Sequence, residues 1–212
     1  MIVTYLRSSS YNNYDYCQMQ YFITYGLGHQ SISGKKAQLG TIVHKVMECL
    51  ASCKKEMQDT GKKTGLSTTD DALGEIKFTA KKLYTKKFVK DLLDSSYKYY
   101  TENCTHSYTG ADLKFCAKSV DDALSYNDGQ FDPRNRNVVA SEPQFDIPIE
   151  EDWAKYKYKM PNGEVVEGQL AIKGTIDLVT EVDDGVIEVI DWKTGRRLDW
   201  ATGEKKNLRE TA

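Results

Sequence analysis

The chain has 212 residues, with 29 Lys+Arg against 31 Asp+Glu and a formal net charge of −2. That length suits one large domain or two small ones with a real core, and 28% charged against 40% hydrophobic residues argues against a disordered chain. The charge balance argues against a globally basic nucleic-acid coat, though not against a local basic patch.

No apolar run approaches the roughly 20 residues needed to span a bilayer. Met1 to Arg7 also lacks the apolar region and cleavage site of a signal peptide. A cytoplasmic chain with no membrane partner is expected. The five cysteines, Cys17, Cys49, Cys53, Cys104 and Cys116, are an odd number without an export signal and read as reduced thiols. Cys49 and Cys53 share a helical face, but no second pair at zinc-site spacing accompanies them.

Ser8 to Cys17 caps and begins a short aromatic-rich helix running to Tyr25, before Gly26 and Gly28. Its tyrosines either pack against the next helix, the commoner use, or stack on bases. From Lys36 to Gln58, Leu39, Ile42, Val43, Val46, Met47, Leu50 and Met57 recur at helical spacing and form one stripe. His44 lies at its margin, where Gly40 and Ala51 leave room for something to approach the imidazole. A satisfied boundary histidine is the plainer reading of that position. A polar loop over 59–70 and a helix from Asp71 to Glu102 follow. The lysines of that helix (Lys77, Lys81, Lys82, Lys86, Lys87 and Lys90) read either as a solvated face or as a DNA contact. A third helix spans Ala111 to Tyr126 and ends at Asn127-Asp128-Gly129.

The pattern then turns to strands: Val138 to Ile149, a hairpin of Tyr156–Met160 and Glu164–Ala171 about Pro161-Asn162-Gly163, and a further stretch from Ile172 to Lys193. Helices first and sheet afterwards imply an α/β fold of α+β-like order, with N-terminal helices packed on a mixed central sheet. Residues 1–130 form the helical part and 131–195 the sheet core, packed together as one domain. Residues 196–212 form a basic polar tail.

The segment Ile172 to Lys193 carries the chemistry. With Asp183-Asp184-Gly185 as a three-residue hairpin loop, Val182 pairs with Val186 and paired residue numbers sum to 368. Asp177 then falls opposite Asp191. Period-2 alternation puts Ile172, Ile176, Leu178, Val182, Val186, Ile190 and Trp192 on a core face. Asp177, Asp191 and Lys193 share the other face with Val179 and Val189. Two facing carboxylates repel at about 4.5–5.5 Å, whereas a divalent cation between them makes a binding site of Mg²⁺ or Mn²⁺ type. Lys193 can hold the attacking water beside a phosphate. A solvent-facing hairpin with scattered charges is the alternative that the spacing leaves open.

Gly174-Thr175-Ile176-Asp177 followed by Ile190-Asp191-Trp192-Lys193-Thr194-Gly195 resembles the core of the PD-(D/E)XK nuclease superfamily. The closest likeness is to the RecB-like branch of phage exonucleases and CRISPR-adaptation nucleases. Gly40-Thr41-Ile42-Val43-His44 resembles that branch's helical histidine motif, and Val138 to Phe145 resembles the strand bearing its glutamate. Ser8 to Cys17 is similar to its opening segment. These elements stand in the family's order over residues 8 to 195.

The resemblance implies a restriction-endonuclease-like core and a Mg²⁺- or Mn²⁺-dependent DNA nuclease. The expected metal ligands are His44, Asp177, Asp191 and the backbone carbonyl of Trp192. Lys193 is the expected catalytic lysine, acting with Asp177, Asp191 and Glu142. Glu142 either reaches a second metal or the water network, or braces the site. Arg196, Arg197, Lys205 and Lys206 are expected to guide the DNA backbone.

Two departures accompany the likeness. No Gln or Tyr follows Lys193, where the family carries a further helix. The element is therefore dispensable, or the chain is truncated or split and a partner chain supplies it. No cysteine follows Cys116, so the four-cysteine iron–sulfur cluster of some relatives cannot form from this chain alone. An exonuclease in phage or mobile-element DNA processing is the leading expectation. A half-nuclease or DNA-binding module needing a partner and a structure-specific endonuclease are the alternatives.

Overall fold

The computed structural model of the chain describes residues 3–29, 32–102 and 104–194. In chain order its elements begin with β1 (Tyr5–Leu6), α1 (Ser8–Tyr16), α2 (Gln18–Tyr21), a π-helical turn (Phe22–Gly26) and α3 (Lys35–Thr60). Then come β2 (Leu66–Asp70), β3 (Gly74–Phe78), α4 (Ala80–Leu83), α5 (Lys86–Glu102) and α6 (Gly110–Ser125). The strands β4 (Asn137–Ser141), β5 (Gln144–Pro148), β6 (Lys155–Lys159), β7 (Val165–Gln169), β8 (Ala171–Thr175), β9 (Leu178–Asp183) and β10 (Val186–Ile190) complete the order. Helices and mixed strands make this an α/β fold, consistent with a restriction-endonuclease-like core. The chain divides into two compact units, Met1–Ser33 with Glu142–Ile176 and Gly34–Ser141 with Asp177–Ala212.

The second unit is built on α3. Of the stripe read from the sequence, Leu39, Ile42, Val43, Val46, Met47 and Leu50 are buried and Met57 is partly buried, each fully buried side chain contributing roughly 1.5–3 kcal/mol. The helix packs against β4, α5 and α6. The sheet has the order β10-β9-β4, antiparallel throughout. Val138, Leu178, Ile190 and Trp192 join the core of α3. Gln58, near the end of α3, receives the Val138 N–H at 3.0 Å and donates to the Asn137 side chain at 2.7 Å. Those bonds pin the edge strand to the helix.

The helix expected from Asp71 does not start there. Residues 66–78 form the antiparallel hairpin β2–β3, with Thr68 opposite Ile76. Leu66, Ile76 and Phe78 are buried, and the β-branched Thr68 and Thr69 favour the pleated form. Asp70 closes the turn by accepting the N–H groups of Ala72 and Leu73 at 2.9 and 2.8 Å. Lys45 on α3 reaches the same carboxylate at 3.0 Å and Glu48 at 2.6 Å, tying hairpin to helix.

The first unit holds a three-stranded sheet of order β1-β8-β5 and the hairpin β6–β7. β1 runs parallel to β8, and β5 antiparallel to it. The strand expected from Val138 to Ile149 is two strands. Pro143 has no N–H for a ladder, and Glu142 has φ 50°, outside the extended range. α1 is closed at its start by Ser10 and Arg7. The tyrosines of this region stack on one another, with Tyr14–Tyr21 and Tyr21–Tyr25 centroids at 5.4 and 5.0 Å. Tyr11 and Tyr16 are exposed. Phe145 pairs with Gly174, and a Cβ at Gly174 would stand 2.5 Å from the Phe145 ring. The glycine of the Gly174–Asp177 motif is therefore set by that ring. Among the described residues no helix is long and apolar enough to cross a membrane.

Candidate metal centre

Ile187 pairs with Glu181, Glu188 with Thr180, Val189 with Val179 and Ile190 with Leu178. Each pair sums to 368, and Asp177 and Asp191 lie one residue beyond the last pair, outside the two strands. The turn itself differs from expectation. Val186 pairs with Asp183, and the register shifts between Val186 and Ile187, leaving Asp184-Gly185 as the connection. The core face is also shorter than the alternation implied. Leu178, Thr180, Ile190 and Trp192 are buried, whereas Ile172, Val182 and Val186 are exposed. Val182 and Val186 lie at the turn end of the hairpin, and Ile172 belongs to β8 of the other unit.

Beyond β10 the alternation sorts Ile190 and Trp192 inward and Asp191 and Lys193 outward. Trp192, 6% exposed, anchors this stretch by its indole. The Lys193 ammonium pairs with Oδ1 of Asp191, both side chains being about half exposed.

Asp177 is half-buried. Its Oδ2 accepts the main-chain N–H of Trp192 at 2.7 Å and lies 3.5 Å from Nδ1 of His44 on α3. Burial pushes this carboxyl up. The hydrogen bond and charge of His44, the Trp192 N–H and the Lys193 charge outweigh burial and hold it below the usual carboxylate range. The side chain is therefore an anion at neutral pH. An imidazole nitrogen and a carboxylate oxygen thus converge from helix and strand, whereas the Asp191 carboxylate is turned to Lys193. Such a donor set fits a divalent cation.

Glu142 follows Ser141, and Asp177 precedes Leu178, the residue paired with Ser141. A non-glycine residue at φ 50° is strained, a condition that collects at functional positions. Arg196, Arg197, Lys205 and Lys206 lie outside the described residues.

Sequence reasoning passed over Thr194. A Cβ on Gly40 would stand 3.0 Å from its Oγ1, so the segment after Lys193 passes the helix one turn before His44. The small residue at position 40 was the signal, and Thr194 is what lies against it. Thr180 was also missed. It is fully buried and donates to Glu188 at 3.2 Å, and Glu188 in turn pairs with Arg136.

No curated protein and no solved structure matches the chain significantly. The family model of the PD-(D/E)XK nuclease superfamily matches residues 8–208. That span takes in the His44 helix, Glu142 between β4 and β5, and the β9–β10 hairpin with Asp177 and Lys193 at its open end, and the chain belongs to the PD-(D/E)XK nuclease superfamily.

Proposed function

We propose that this nuclease is a Mg²⁺- or Mn²⁺-dependent deoxyribonuclease, an exonuclease acting in phage or mobile-element DNA processing. The observation that carries the reading is the approach of His44 to an ionised Asp177 that also accepts the Trp192 main-chain N–H. His44, Asp177, Asp191 and the Trp192 carbonyl would hold the cation, with Glu142 as a further carboxylate. When bound, the cation supplies charge neutralisation at the phosphate and acidifies water.

The chain's own groups do the rest. The Trp192 N–H and His44 keep Asp177 in its anionic form. The buried indole fixes the direction of Asp191 and Lys193. The Lys193 ammonium holds the attacking water in line and offsets charge on the phosphate oxygens. Water adds to phosphorus, the P–O bond to one sugar oxygen breaks, and that oxygen takes up a proton.

Labelled linear and circular DNA incubated with Mg²⁺ or Mn²⁺ tests the reading. The wild type should degrade linear DNA and spare circles. Asp191→Ala and Lys193→Ala should each lose about 10²–10³-fold in rate. Variants as active as the wild type would sink the assignment, and cleavage of circles would replace exonuclease by endonuclease action.

A further inference from the structure

Six lysines, Lys77, Lys81, Lys82, Lys86, Lys87 and Lys90, fall in one stretch with no Asp or Glu among residues 77–90. The whole chain has a net charge of −2, so this is a pronounced local excess. All six side chains are exposed. Lys77 pairs with Glu75 and Lys90 with Asp94. The other four form no ion pair among the described residues.

The fold gathers these charges. Leu83, Phe88 and Val89 turn inward to the core, which leaves the lysines of α4 and the start of α5 on the outer surface. Lys82 donates to the Lys77 carbonyl at 3.4 Å and lies 5.1 Å from the Phe88 ring centroid. Those contacts hold β3, α4 and α5 together at this point. Of the acids of the neighbouring hairpin, Glu75 is taken by Lys77, and Asp70 and Asp71 sit at the turn, about 13 Å along the strand from Phe78 at roughly 3.3 Å per residue. Asp70 is already taken by Lys45.

Stability does not account for this arrangement. Like charges in the short α4 and the first turns of α5 repel, and cations in the first turn of α5 oppose the helix dipole. An anionic partner offsets both costs. Phe78, Leu83, Phe88 and Val89 are buried, and the exposed Tyr84 has its hydroxyl bound to the Arg134 carbonyl, so no apolar cluster is offered for insertion into a lipid surface. Exposed amines on successive turns instead match a polymer with closely spaced phosphates. Duplex DNA carries about one charge per 1.7 Å of axis.

We infer that the Lys77–Lys90 face binds the phosphate backbone of duplex DNA as a contact separate from the metal centre. The choice of DNA over other polyanions rests on the nuclease reading above.

The test uses the full chain in EDTA, so that no cleavage intervenes. Fluorescence anisotropy with a labelled duplex is followed across a NaCl series. The quadruple variant K81A/K82A/K86A/K87A should bind at least about tenfold more weakly at moderate salt, with a log K against log[salt] slope shallower by about 3. A control, K98A/K118A/K155A/K157A, removes the same charge from lysines paired with acids and should change affinity less than about twofold. Equal losses in the two variants, an unchanged slope in the first, or no binding by the wild type would each overturn the inference. So would polyglutamate competing as well as unlabelled duplex. Cleavage of linear DNA with Mn²⁺ is measured in parallel. If cleavage is absent but the binding pattern holds, the nuclease reading fails and this face stands. If cleavage is present and the pattern is absent, only the face fails.

Discussion

Nδ1 of His44 stands 3.5 Å from Oδ2 of Asp177, and the same oxygen receives the Trp192 main-chain N–H. Helix α3, the entry to β9 and the exit from β10 therefore meet at one carboxylate. Removing the imidazole takes away both a donor and the neighbour that does most to lower this carboxyl. His44→Ala should weaken Mn²⁺ binding by about 10–100-fold, read by titration calorimetry. Part of the lost cleavage rate should return at high Mn²⁺. Wild-type Mn²⁺ affinity in the variant would remove His44 from the ligand set.

Gly40 faces Thr194 closely enough that an added Cβ would meet Oγ1 at 3.0 Å. Gly40→Ala should gain up to about 1 kcal/mol of helix propensity while pushing Thr194, and with it Lys193, out of place. The expected result is an unchanged or raised melting temperature with a several-fold lower cleavage rate. Gly40→Val should be slower still. A Gly40→Val enzyme with wild-type turnover would show that Thr194 yields without moving Lys193.

The ion pair of Lys45 with Asp70 makes stability pH-dependent. Burial pushes the Asp70 carboxyl up, but the Lys45 hydrogen bond and charge, with the Leu73 and Ala72 N–H groups, leave it below the usual range. A lowered folded value means that the stabilisation is complete above the unfolded carboxylate value of about 3.9. It is lost as pH falls from there through the folded value. Asp70→Asn should cost about 2 kcal/mol at pH 7 and flatten this part of the acid limb. Urea unfolding at pH 7 and at several points below pH 4 measures both effects.

The five thiols should separate into two groups. Burial pushes Cys53 up to about 12 and Cys116 up to about 11, and raises Cys49 as well. Cys104 is lowered, by the Tyr108 hydroxyl and then by the His106 N–H. Under native conditions an aromatic disulfide reagent should label Cys104 and Cys17 first. Cys49, Cys53 and Cys116 should react only on unfolding, as followed by mass spectrometry of the labelled peptides.

Much of the hairpin was legible because period-2 alternation and a fixed pair sum are local rules. The pair sum holds as far as Ile190 and Leu178, and the turn's actual geometry did not disturb the count. α3 was equally readable from its stripe. The β2–β3 hairpin was not, since the apolar spacing of Leu73, Ile76 and Ala80 also fits a helix. What decides against the helix is the Asp70 side chain turning the backbone, together with a lysine from α3 that no local pattern reveals. The inward limit of the core face was hidden for a similar reason. Val182 and Val186 alternate correctly, but alternation does not say how far the covering helix reaches. Thr194 opposite Gly40 is a long-range contact, visible beforehand only as an unexplained small residue.

The irregularity between Val186 and Ile187 bears on how this hairpin can change over evolutionary time. Mismatch is absorbed at the tip, so the connection at Asp184-Gly185 can lengthen or shorten while the paired body keeps its phase. A single residue inserted between Ile187 and Trp192 has no such outlet. It would carry the indole to the solvent side and bring Lys193 or Asp191 against the apolar interior. Length variation among descendants of this chain should therefore gather at the tip and be absent from the six residues before Lys193.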